Sequence, residues 1–166
     1  RDMKLSIPIK FKDGYEAITK SDKKAKGEKN DCVVRAFMNG FDISYDEAHS
    51  LIETEFNRKK GKGTFNCATT MREVFTDKDA LRYEENKRLP AKIVYNEETG
   101  KYKKEYAGYT VGKFIQQHQF GTYIILVAKH ALAVRNGVLI DNGNHDDDLL
   151  KNHLRDQRRC MQIFKV

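Results

Sequence analysis

The chain has no tryptophan, two prolines (Pro8 and Pro90) and three cysteines (Cys32, Cys67 and Cys160) in 166 residues. Each scarcity excludes something. Three cysteines, an odd number at irregular spacing, do not make a disulfide framework and point to a reducing cytosol, so a cytoplasmic location is expected. The cysteines are far apart, and His145 and His153 stand eight residues apart, so the close ligand spacing of a zinc site is missing. No metal and no cofactor is expected. No apolar run approaches the roughly 18 residues that a spanning helix needs, so no membrane partner is expected. No secretory leader stands at the start, and Met3 reads as the initiator behind Arg1 and Asp2. Gly61-Lys62-Gly63-Thr64 lacks the spacing of a phosphate loop. Asn144 to Asp148 carries three consecutive aspartates but neither the spacing nor the closing Glu of a calcium loop.

What is present supports one domain over residues 1–166. Mean hydropathy is −0.73, yet Leu, Ile, Val and Phe supply 39 residues, enough for a thin core. The net charge of +7 permits an acidic or nucleic-acid partner without requiring one. The basic residues fall in four runs: Lys20 to Lys29, Arg58 to Lys62, Lys101 to Lys104 and Arg155 to Arg159. Scattered runs need not converge, and they read mainly as solvated faces. Lysines and aromatics interleave between Lys101 and Tyr109, a pattern that suits single-stranded nucleic acid but is more often one face of a strand.

Residues 1–29 read as a lead-in, with a short edge strand around Leu5, Ile7 and Ile9 and then a Lys-rich loop. Asp31 is placed to cap a helix that opens at Cys32 and stops at Gly40. Ser44-Tyr45-Asp46-Glu47 is a capping box, followed by an apolar stripe of Ala48, Leu51, Ile52 and Phe56. His49 flanks that stripe and reads as structural. Thr64 opens a helix to about Phe75, with Cys67 inward. Two strands, 92–96 and 102–106, flank Glu98-Thr99-Gly100. Thr110 caps a short helix that Gly121 ends, with His118 near its C-terminus. Thr122 to Val127 is a buried strand, Asn136-Gly137 is a hairpin turn between two more, 143–158 is a polar loop, and Met161 to Val166 alternates as a last strand beside Cys160. Helices first and an antiparallel sheet second make an α+β pattern.

Three residues carry candidate chemistry. Cys32 stands at a helix start, where a thiolate is favoured. His130 enters a strand. With Asn136-Gly137 as a two-residue turn, Leu132 pairs with Asp141, so His130, Leu132, Val134, Leu139 and Asp141 share one face. Asp141 is then diagonal to His130 and able to fix its tautomer. A one-residue bulge would give that role to Asn142 instead.

The order Cys, His, acid resembles the papain-like cysteine peptidases, including the bacteriocin-processing branch with its Asp-Cys start. It is most similar to small papain-fold proteins encoded by bacteriophages. The matching residues are Asp31-Cys32-Val33-Val34-Arg35-Ala36, then Gly121-Thr122-Tyr123, then His130-Ala131-Leu132-Ala133-Val134 through Gly137-Val138 to Asp141. They span roughly 28–76 and 108–143 and leave 77–107 as an unmatched insertion. The resemblance implies a papain-like fold and a hydrolase of amide, peptide or isopeptide bonds, with Cys32 as nucleophile, His130 as base and Asp141 as orienter. Its partner would be a protein substrate or host protein, in the host cytosol. Such enzymes usually carry a Gln six residues before the cysteine to donate to the oxyanion; Lys26 stands there, and Val33 replaces the usual following glycine. Asn30 and the Cys32 backbone N–H are the substitute donors. The missing Gln also suits an inactive papain-fold module that captures a host protein or nucleic acid.

Overall fold

The β-branched run of Tyr123 to Val127 lies near the middle of a five-stranded sheet. A computed structural model describes residues 9–64, 73, 92–105, 110–127, 129–141, 160 and 162–166. Among them, β1 (Lys10–Asp13), α1 (Cys32–Phe41), α2 (Tyr45–Phe56), β2 (Lys92–Asn96), β3 (Lys101–Glu105), α3 (Val111–Gln117), β4 (Thr122–Val127), β5 (His130–Arg135), β6 (Val138–Asp141) and β7 (Gln162–Lys165) follow in order, with a 3-10 turn at Lys23–Ala25. The class is α+β, as the order of patterns predicts. The helix expected from Thr64 to Phe75, apart from Thr64 and Glu73, with Cys67 within it, the basic run at 155–159 and the loop at 143–158 lie outside the described residues.

The strand order is β1-β6-β5-β4-β7, and β2 and β3 form a separate antiparallel hairpin. Strands β4 to β7 pair antiparallel, but β1 lies parallel to β6, Lys10 opposite Val138 and Asp13 opposite Asp141. The sheet is therefore mixed, not antiparallel. A strand falls at 10–13, while Leu5 and Ile7 of the expected edge strand lie outside the described residues. A parallel partner comes from far along the chain, and alternation in a short edge segment carries no information about it.

Alternation along β4 divides the core in two. Ile124 and Leu126 face Val34, Phe37, Met38, Ala48 and Ile52 of α1 and α2. Tyr123, Ile125 and Val127 face Val111, Phe114 and Ile115 of α3, with Leu132, Val134 and Leu139. Gly40 does not stop α1, which continues to Phe41 and is closed by Asp42 at φ 55°. It lets the helix approach the sheet: a Cβ there would lie 2.4 Å from Ile124 Cγ1. Ser44 Oγ accepts from the Glu47 N–H at 3.1 Å and Thr110 Oγ1 from the Lys113 N–H at 3.2 Å, so both predicted caps are formed. α3 ends at Gln117, four residues before Gly121. There the last turn is closed by the His118 ring, which bonds the Phe114 carbonyl through Nδ1 at 3.0 Å.

Candidate active site

The site is assembled from a helix start and a hairpin. The turn has Asn136 at φ 46° and Gly137 at φ 78°, both left-handed, as a two-residue hairpin loop requires. It pairs Arg135 with Val138 and Val134 with Leu139. That register carries Asp141 to the end of β6 beside the start of β5, where His130 Nε2 lies 2.6 Å from Asp141 Oδ1. Asp141 is buried, and its backbone is held from the other side by β1: the Gly14 N–H donates to the Asp141 carbonyl at 2.6 Å. Asn142 lies outside the described residues.

Cys32 is the first residue of α1 and is half-buried. Burial alone would raise its thiol pKa. The hydrogen bond and charge of His130, the Ala131 backbone N–H and the charge of Arg35 outweigh that and hold it below the ordinary value. Burial would likewise lower His130, yet the hydrogen bonds with Asp141 and Cys32 raise it to about 9. Since Asp141 takes Nε2, Nδ1 is the nitrogen left for the sulfur. Asp141 thus holds the His130 ring, and the nearby His130 holds the Cys32 thiol below its ordinary pKa, an arrangement that favours a thiolate beside an imidazolium.

The loop before Cys32 is held by buried carboxylates. Asp31 does not cap α1 with its side chain. It accepts from Arg35 Nε at 3.0 Å and from the Tyr45 hydroxyl at 2.6 Å, both buried. One turn along the helix, Arg35 outcompetes the backbone because a buried guanidinium needs a charged acceptor. Arg35 also lies 4.4 Å over the Tyr15 ring. Glu28 accepts from Arg58 Nη1 and Nη2 at 3.1 and 3.0 Å, from the Gly61 N–H at 2.7 Å, and pairs with His49 Nε2 at 2.7 Å. Burial would raise its pKa; Arg58, His49 and Gly61 bring it down to about 2. Arg58 therefore belongs to the interior, not to a solvated basic face, and His49 is structural with a named partner. Asn30, at φ 54°, donates its side-chain amide to the Gly61 carbonyl at 3.0 Å, and Lys26 is exposed.

Sequence reasoning missed the role of Glu28 and Arg58, because each reads as an ordinary surface charge until the other is beside it. A Glu and an Arg thirty residues apart leave no periodic signal. Among the described residues, no group of three His, Cys, Asp or Glu side chains could hold a metal ion, and no helix is long and apolar enough to cross a membrane. No protein family matches this chain, and neither does any curated protein or solved structure compared with it.

Proposed function

We propose that the chain is a papain-like cysteine hydrolase, of the kind that bacteriophages encode, cleaving an amide, peptide or isopeptide bond in a host cytosol. The observation that carries this reading is the His130–Asp141 hydrogen bond beside Cys32, whose thiol His130 holds below its ordinary pKa and whose sulfur stands at a helix start. Cys32 Sγ attacks the carbonyl carbon as a thiolate. The new negative oxygen is stabilised by backbone N–H groups of the first turn of α1, which have no intrahelical acceptor. His130 gives its proton to the leaving nitrogen, the C–N bond breaks, and an acyl thioester remains on Cys32. Water then loses a proton to His130 and attacks the thioester; the acid leaves, and the thiolate and imidazolium re-form. Asp141 holds the ring throughout through Nε2.

A second reading is a binding module of the same fold. It is favoured by the exposed Lys26 where such enzymes carry Gln, and by the engagement of the Asn30 amide with Gly61. Intact-mass detection of an adduct with a peptide vinyl sulfone separates the two. The hydrolase reading expects one adduct, at Cys32, absent from Cys32→Ala, nearly absent from His130→Ala and reduced but present in Asp141→Asn. A binding module gives no adduct faster than free cysteine does.

A further inference from the structure

Two of the four basic runs are brought together beside Cys32. The loop at 26–31 and the loop at 57–62 are clamped to each other by Glu28 with Arg58 and the Gly61 N–H, by Asn30 with the Gly61 carbonyl, and by Arg58 Nη2 with the Lys29 carbonyl at 3.0 Å. Lys60 Nζ lies 3.9 Å from where a Cβ on Gly27 would be, and the Lys29 stem packs on Gly61. The clamp consumes its own charges, since Glu28 is neutralised by Arg58 within it. Left outside are Lys26, Lys29, Lys59, Lys60 and Lys62, all exposed, and among the described residues no carboxylate lies within ion-pairing distance of any of them. The exposed Glu53 lies 3.9 Å from His49 Nδ1.

Five cations on two adjoining loops repel one another, and among the described residues no carboxylate pairs with them. Such a surface concentrates a ligand of opposite charge and speeds its encounter. Its position decides the ligand. Lys29 is three residues from Cys32, so whatever lies along these loops is presented to the thiol. A thiol that attacks carbonyl carbon needs an acyl group, and that joins an anionic ligand to a polypeptide in preference to a nucleic acid. Resting on the hydrolase reading above, we infer that the Lys26–Lys29 and Lys59–Lys62 surface docks an acidic segment of a polypeptide substrate and so selects which bond reaches Cys32.

The test uses a fluorescein-labelled oligoglutamate peptide, a neutral Gly-Ser peptide of the same length and oligothymidylate, bound to the full chain at low salt. A triple reversal, Lys29→Glu with Lys60→Glu and Lys62→Glu, is compared with Lys101→Glu, Lys103→Glu and Lys104→Glu on the β2–β3 hairpin. Oligoglutamate is expected to bind about tenfold or more tightly than the neutral peptide, to weaken with salt, to lose about tenfold or more in the first triple variant only, and to slow alkylation of Cys32 by iodoacetamide. The inference is overturned if oligoglutamate binds no better than the neutral peptide, if oligothymidylate binds more tightly, if the hairpin variant is the one that loses binding, or if bound peptide leaves Cys32 alkylation unchanged. Circular dichroism of both variants checks folding. Failure of the hydrolase reading shows separately, as unchanged Cys32 alkylation in His130→Ala without any peptide.

Discussion

The α1–α2 pair and α3 cover opposite faces of one sheet and are built differently. The buried positions of α3 are Val111, Gly112, Phe114 and Ile115, all apolar. Those of α1 and α2 include Arg35, Asn39, Tyr45 and His49, and the loops beside them bury Asp22, Asp31 and Arg58. An apolar layer gains from every group it removes from water. A layer with buried ions gains little from them, because desolvation offsets most of the attraction. What the ions do supply is direction: each carboxylate accepts from several donors at once, so the loop ahead of Cys32 has few alternative positions. The thiol belongs to the layer with the buried charges, while His130 and Asp141 come from the end of the hairpin. Both layers bury apolar side chains, and the α1–α2 layer adds buried ions that orient the nucleophile.

The largest expected effect that could break this contrast lies on the apolar side. Phe114→Ala removes a fully buried ring that stacks on His118 at 4.0 Å and meets Tyr123 edge-on at 4.9 Å. It is expected to cost about 3–5 kcal/mol in urea unfolding while leaving the Cys32 alkylation rate of the folded fraction unchanged. A slowed rate in folded protein would mean that both layers orient the thiol.

On the other side, Glu28→Gln is expected to cost about 3 kcal/mol at neutral pH and also to slow Cys32 alkylation. The pH dependence follows from the direction of the shift. The Glu28 pKa falls from 4.5 to about 2 on folding, so its stabilisation is complete above about pH 4.5 and lost as pH falls toward 2. Urea unfolding at pH 6 and pH 3 should show an acid-linked loss in the wild type that is smaller in Glu28→Gln. Equal losses in both would remove Glu28 from the account.

A smaller effect sharpens the comparison at the junction of helix and sheet. Gly40→Ala drives a methyl group to within 2.4 Å of Ile124 and is expected to cost about 1–3 kcal/mol. Because α1 carries Cys32 at its far end, the shift should also slow Cys32 alkylation modestly. Unchanged stability would show that the helix moves away at no cost.

The same division marks what was legible in the sequence. Local signals read well: Asn136-Gly137 set the hairpin register, parity put His130 and Asp141 on one face, and Ser44 and Thr110 announced their helices. Each depends on residues a few positions apart. The features that failed to read are long-range. Asp31 was expected at a backbone cap, but Tyr45, on the next helix, competes for its carboxylate together with Arg35. Gly40 looks like a stop until Ile124 is set against it. Nothing between residues 9 and 14 foretells a parallel neighbour at Val138 to Asp141. Arg58 sits in a run of lysines and differs from them only by facing Glu28. In the candidate site, the three chemical residues stood out from order and parity, whereas the clamp that holds the Cys32 loop was visible only once the chain was folded.

The most direct measurement is the pH dependence of Cys32 alkylation by iodoacetamide, read by mass spectrometry, in wild type and His130→Ala. A thiol held below its ordinary pKa beside an imidazole raised to about 9 exists as a thiolate–imidazolium pair over an intermediate pH range. The wild-type rate at pH 6 should therefore exceed that of free cysteine, and His130→Ala should fall to or below the free-cysteine rate, with its titration moved to higher pH. A wild-type rate at pH 6 no greater than that of free cysteine, with the same profile in His130→Ala, would contradict the account.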